Sequence, residues 1–127
     1  MLASVAKLDV ICYTNPRMFE WFGLDMAAYE GVSTIEGGFL MFKRSFLTSL
    51  IMKSWITCAL DINCIAPYGS RHGRCCGCHR YDQDALTLIA SHFFVQPFDQ
   101  YAPYGFRNEE RFFFSVNRRQ SMNYFIS

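Results

Sequence analysis

The sequence carries little net charge. Lysine and arginine number 12, aspartate and glutamate 11, and the formal net charge is +1. A field that weak rules out a partner recruited by charge alone, such as nucleic acid or an acidic membrane surface. The basic residues are scattered, and Arg118-Arg119 is a pair rather than a patch. No Asn-x-Ser/Thr sequon occurs. The longest apolar segment, Phe46 to Leu60, carries Lys53 near its middle and falls short of a bilayer span. The opening residues Met1 to Asp9 do not read as a signal peptide, because the apolar run is short and Lys7 interrupts it. There is no internal repeat. Asp9 lacks a second carboxylate two positions away, where Lys7 stands instead, so it reads as a capping or solvated acid rather than a metal ligand.

What is present is apolar and aromatic. The chain has 127 residues, 51% of them hydrophobic and 17% aromatic, which is enough for one core and too little for two ordinary domains. The aromatic content favours a folded chain over a disordered one.

The pattern alternates between strand and helix signals. Lys7 to Tyr13 is a short strand-type run. Asn15-Pro16 then predicts a helix start, with Asn as N-cap, Pro in the first turn, Met18, Phe19 and Phe22 on the apolar side, and Gly23 as the stop. Glu36 to Phe42 predicts a second strand, apolar on both faces as a central strand would be, and Gly37-Gly38 lets another group approach its backbone. Ser45 to Leu60 is the clearest helix, with Leu47, Leu50, Ile51, Trp55 and Cys58 on one stripe. Asp61 to Cys78 is a loop rich in Pro, Gly and Cys. Asp82 to Phe93 is a second helix, with Leu86, Ile89, Ala90 and Phe93 facing inward. Phe112 to Val116 is a candidate last strand. This order predicts an α/β layered fold.

Six cysteines stand at positions 12, 58, 64, 75, 76 and 78, five of them within 21 positions. Such clustering points to disulfides in an oxidising compartment, or to a metal or haem site in a reducing one. The disulfide reading pairs Cys58 and Cys64 with two of Cys75, Cys76 and Cys78, in a connectivity that spacing does not decide, and leaves Cys12 as a buried thiol. Cys58, Cys64, Cys75 and Cys78 would also make a four-thiolate zinc site. Cys75-Cys76-Gly77-Cys78-His79 formally matches the haem attachment pattern, a short match that leaves Cys58 and Cys64 unexplained.

The densest chemistry lies at Cys78-His79-Arg80-Tyr81-Asp82-Gln83-Asp84. Asp82 at a helix start would accept backbone N–H bonds and complement the helix dipole. The same Asp82 with the amide of Gln83 could instead face a cleft, bind sugar hydroxyls and stabilise a glycosyl transition state. His79 and Arg80 could meet a phosphate, while a lone loop histidine more often bonds a carbonyl.

Several blocks carry a resemblance. They are Thr14-Asn15-Pro16-x-Met18-Phe19-Glu20, Ile35-Glu36-Gly37-Gly38, Trp55-x-x-Cys58-Ala59-Leu60 running on to Cys64-Ile65-Ala66-Pro67-x-Gly69-Ser70, and Cys78 to Leu86. Over residues 10 to 95 the chain resembles a group of animal proteins, well represented in nematodes, that is similar to glycosyltransferases of the GT-A type. It also resembles the distal half of retaining nucleotide-sugar transferases related to glycogenin. The resemblance implies a partial GT-A-like α/β fold with a cysteine-rich loop, a single domain over 1–127 and a nucleotide-binding half missing ahead of it. It implies that Asp82 and Gln83 contact the donor sugar and that Gly37 and Gly38 line the acceptor side. Partners would be a nucleotide sugar and a glycan or protein acceptor, in the Golgi lumen or outside the cell. No cofactor is expected in the chain itself, since the Asp-x-Asp motif that holds a divalent cation such as Mn²⁺ belongs to the missing half. Such a half would be inactive alone, and its unpaired sheet edges would favour self-association. The alternative expectation is a small disulfide-stabilised secreted binding or structural module without catalysis.

Overall fold

The computed structural model describes residues 2–70, 75 and 79–94. The candidate strand at 112–116 lies outside them, as do Cys76 and Cys78. The described chain is mixed α/β, with a two-stranded antiparallel sheet, five helices and a 3₁₀ turn.

Strand β1 (Leu2–Asp9) runs straight into a one-turn helix, α1 (Val10–Tyr13). The sequence reading extended this strand to Tyr13. The correction has a local cause: Asp9 accepts the Ile11 N–H at 3.1 Å and so starts a helical turn where β-prone residues would otherwise continue the strand. The same carboxylate accepts the Gly31 N–H at 3.4 Å, tying the turn to the segment that precedes the second strand. Capping, one of the two roles read for Asp9, is the one observed.

Helix α2 (Pro16–Phe22) forms as its residues dictate. Asn15 accepts the Arg17 N–H at 2.9 Å, Pro16 holds the first helical position, and Gly23 closes the helix in the left-handed region at φ 67°. A 3₁₀ turn (Met26–Tyr29) follows, capped by Asp25. Strand β2 (Ser33–Met41) pairs with β1 in a register that sets Leu2 opposite Met41, Val5 opposite Ile35 and Asp9 opposite Ser33, with irregularities on either side of Ser4–Val5.

The expectation of a central strand apolar on both faces is corrected. Among the described residues β2 has one neighbour, β1. Thr34 and Ile35 are buried, whereas Glu36, Gly37 and Met41 are exposed. One face of the ribbon is covered, by α5, and a half-covered strand keeps polar residues on its open side.

Helix α3 (Phe46–Ala59) opens with a capping box in which Ser45 and Thr48 exchange bonds with each other's backbone N–H at 2.9 and 3.1 Å. Ile51 and Cys58 of the expected stripe are buried, and Leu47, Leu50 and Trp55 are half-buried. No helix among the described residues is long and apolar enough to cross a membrane. A single turn, α4 (Ile62–Ile65), is capped by Asp61.

Helix α5 (Tyr81–Phe93) is central among the described elements, in contact with α1, α3, α4 and β2. Every residue from Asp84 to Ala90 is buried. Ala85 and Leu88 join Val10, Met18, Phe19 and Tyr29 in one apolar cluster, and Leu86, Ile89 and Ala90 join Ile35 and Ile51 in another. The half-buried Phe22 and Trp55 pack against both. Thr87 is the polar joint to the sheet: its hydroxyl accepts the Ile35 N–H at 2.9 Å and donates to the Gln83 carbonyl at 2.7 Å. A one-sided stripe was expected, but a helix enclosed by α1, α3, α4 and β2 must be acceptable to the core on nearly every face.

Burial raises the Tyr29 phenol from its ordinary 10.0. The ring packs edge-on against Phe19 at 5.6 Å. A raised folded pKa favours the neutral phenol, so this contribution is complete below pH 10 and fades as pH rises through the higher folded value. Urea denaturation from pH 8 to 11 should show wild type and Tyr29→Phe running parallel up to about pH 10, with wild type losing stability faster above it. Curves that stay parallel at pH 11 would refute the burial effect.

Candidate functional site

The residues read as a helix-mouth site do come together, but in two environments. His79 and Asp84 are inside. The His79 Nδ1 stands 3.1 Å from Asp84 Oδ2, and both side chains are fully buried. The Asn15 N–H donates to the same Nδ1 at 3.1 Å, and Nε2 lies 3.1 Å from the Ile65 carbonyl. With Nδ1 accepting from Asn15, the hydrogen belongs on Nε2 and is donated to Ile65. Asp84 Oδ2 also accepts the Arg80 N–H at 2.7 Å. One imidazole and one carboxylate thus join the N-cap of α2, the end of α4 and the start of α5. Asp84 Oδ1 is buried without a hydrogen-bond partner among the described residues.

Asp84, not Asp82, provides the cap of α5. The N-cap position falls on Arg80, whose side chain makes no cap bond, and Asp84 reaches back to its N–H. In the sequence Asp84 is not distinguished from Asp82, because either acid of an Asp-x-Asp pair at a helix start can serve as its cap. The signal that marks it is the four-residue step back to Arg80, combined with the buried run that follows it from Ala85. Tyr81, the first helical residue, has φ 40°, a left-handed conformation uncommon for a side chain of this size. Its ring meets His79 edge-on at 5.1 Å.

Asp82, Gln83 and Gly37 form the outer part. Asp82 is exposed, and its carbonyl accepts the Trp55 indole N–H at 3.0 Å. Gln83 lies over Gly37, where an added Cβ would stand 3.2 Å from Gln83 Cγ and 3.4 Å from Nε2. The close approach expected at the double glycine is therefore made by Gln83. Gly38 is the next residue of β2. Arg80 is half-buried, with its guanidinium 5.3 Å from the centre of the Tyr13 ring. His79 faces no solvent, so the pair thought able to meet a phosphate is divided between core and surface.

The cysteines pair differently from the sequence reading. Cys58 bonds Cys64, and Cys12 bonds Cys75. Cys12 is thus no free thiol. The turn between α3 and α4 brings Cys58 and Cys64 to a Cα separation of 5.1 Å, and the Cys75 N–H donates to the Cys12 carbonyl at 3.1 Å beside the second bridge. These bridges use sulfurs that a zinc site would need as thiolates, and Cys75 is equally lost to a haem link. Among the described residues no three His, Cys, Asp or Glu side chains are grouped to hold a metal.

A separate cleft of about 310 Å³ opens between α2, α3 and the end of α5. Trp21, Phe22, Leu24, Ile89 and Phe93 form its apolar walls. Lys53, Ser54 and Thr57 of α3, with His92 of α5, are its polar groups. The Trp21 indole donates to Asp61 at 3.1 Å and packs edge-on against Phe22 at 4.8 Å, which holds that wall in place. In the sequence Lys53 only interrupts an apolar run. Its place in a cleft depends on α2 and α5, which lie far from it in the chain.

Compared with known proteins, the chain matches no family model, no curated protein and no solved structure.

Proposed function

We propose that this chain is a small disulfide-fastened binding module of the secretory pathway that does no chemistry itself. One observation carries this reading. His79, the side chain best suited to acid–base work in the dense segment, is sealed in the core with both ring nitrogens engaged. Two disulfides fit an oxidising compartment, the Golgi lumen or the extracellular space. The preformed cleft is a natural ligand site for such a module. Isothermal titration of the oxidised protein with nucleotide sugars and Mn²⁺ is expected to give no heat of binding. A saturable isotherm would overturn the reading.

That outcome would favour a second reading, in which the chain is the sugar-handling part of a GT-A fold. The contact of Gln83 with Gly37 supports it, because it joins the positions expected to meet donor and acceptor, with Asp82 exposed beside them. On this reading the cation and diphosphate are held elsewhere, and the open edges of the two-stranded ribbon pair with another chain. Gln83→Ala should then weaken nucleotide-sugar binding at unchanged stability, and Asp82→Asn should do the same.

A further inference from the structure

We propose that the cleft between α2, α3 and α5 binds a monoanionic amphiphile, an apolar-bodied carboxylate whose head group meets Lys53. The proposal rests on the binding-module reading and gives that module a ligand class. The walls decide the body of the ligand. Trp21, Phe22, Leu24, Ile89 and Phe93 present apolar surface in a concave site, and an apolar group placed there is removed from water.

The polar groups decide the head. Among the described residues Lys53 is the one lining residue with a permanent charge, and none of the lining residues is a carboxylate. Its ammonium has no acidic partner among the described residues, where the one close contact of a basic side chain with a carboxylate is that of His79 with Asp84. Lys53 is exposed, so a cationic ligand would meet a like charge, water would solvate the ammonium beside a neutral one, and a carboxylate would add an exposed charge pair. Ser54 and His92 add hydrogen-bonding groups beside it. Thr57 does not add a donor, because its hydroxyl hydrogen goes to the Lys53 carbonyl at 2.8 Å. The negative end of the α5 dipole falls at His92, so Lys53 takes the head group.

The test uses the oxidised full chain and three ligands of one chain length below their micellar concentrations: decanoate, decanol and decyltrimethylammonium. Titration calorimetry should show decanoate binding saturably, about fivefold tighter than decanol, as one exposed charge pair allows. Decyltrimethylammonium should bind most weakly. Lys53→Met should lower decanoate affinity to that of decanol and leave decanol unchanged. Amide shifts on adding decanoate should centre on Lys53, Ser54, Thr57 and His92. Equal affinity for decanoate and decanol, an unaltered Lys53→Met variant, or shifts centred elsewhere would each overturn the proposal. Failure of decanoate in a protein that also ignores nucleotide sugars removes the carboxylate assignment alone. Nucleotide-sugar binding removes the module reading, whatever decanoate does.

Discussion

Replacing His79 with alanine should destabilise the protein by about 3–5 kcal/mol, through two stranded backbone groups and a cavity, the largest effect expected of any single side chain here. The size follows from what is stranded. A cavity opens beside the buried Asp84, whose Oδ1 lacks a partner among the described residues. The Asn15 N–H and the Ile65 carbonyl lose theirs as well. Against a typical total of about 5–15 kcal/mol, that is enough to lower the thermal midpoint by roughly 15 °C or to prevent folding at body temperature. Asp84→Ala should also be severe, because it uncaps Arg80 at the start of α5. Asp84→Asn should be milder, because the amide oxygen can still accept from Arg80. The double variant His79→Ala with Asp84→Ala should cost less than the two single losses combined, by about 1–3 kcal/mol. Denaturant unfolding with the disulfides intact measures all four proteins. A cost below about 1 kcal/mol for His79→Ala would mean that the couple does not hold the three elements together.

Removing the Cys12–Cys75 bridge should cost about 4 kcal/mol. The two cysteines are 63 residues apart, and the stabilisation from restricting the unfolded chain rises with the logarithm of the loop. Cys58 and Cys64 are only 6 apart, and the same relation assigns that bridge about 2 kcal/mol. Cys12→Ala with Cys75→Ala should therefore lose about 4 kcal/mol under oxidising conditions. Adding reductant to that variant should remove about a further 2 kcal/mol, since it opens the small loop while both sulfurs stay in the core. A second loss as large as the first would show that the bridges act through packing of Cys58 and Cys64 rather than through loop length.

Much of the local structure was legible in the residues. Asn15-Pro16 and Gly23 mark both ends of α2 because an amide acceptor, a fixed φ and a side chain of hydrogen act within a few bonds of where they stand. The two long helices were legible from spacing, since Ile51, Cys58, Leu86, Ile89 and Ala90 recur at helical steps and are buried. The close approach at Gly37 was legible from the absence of a side chain, although not that Gln83 makes it. The end of β1 is not legible in the sequence, because β-prone residues continue past Asp9 and one carboxylate cap decides against them.

Local spacing in the sequence marks α2, α3 and α5 to within a residue or so, and it marks most of the cysteines as candidates for bridges. Tertiary structure alone decided which sulfur meets which, that His79 is enclosed, that Asp84 and not Asp82 caps α5, and that Lys53 lines a cleft. The physical reason is range. Caps, turns and periodicity act over one to four residues and are written locally. A disulfide across 63 residues, or an imidazole bonded to Asn15 and Ile65, exists only once separate elements have packed.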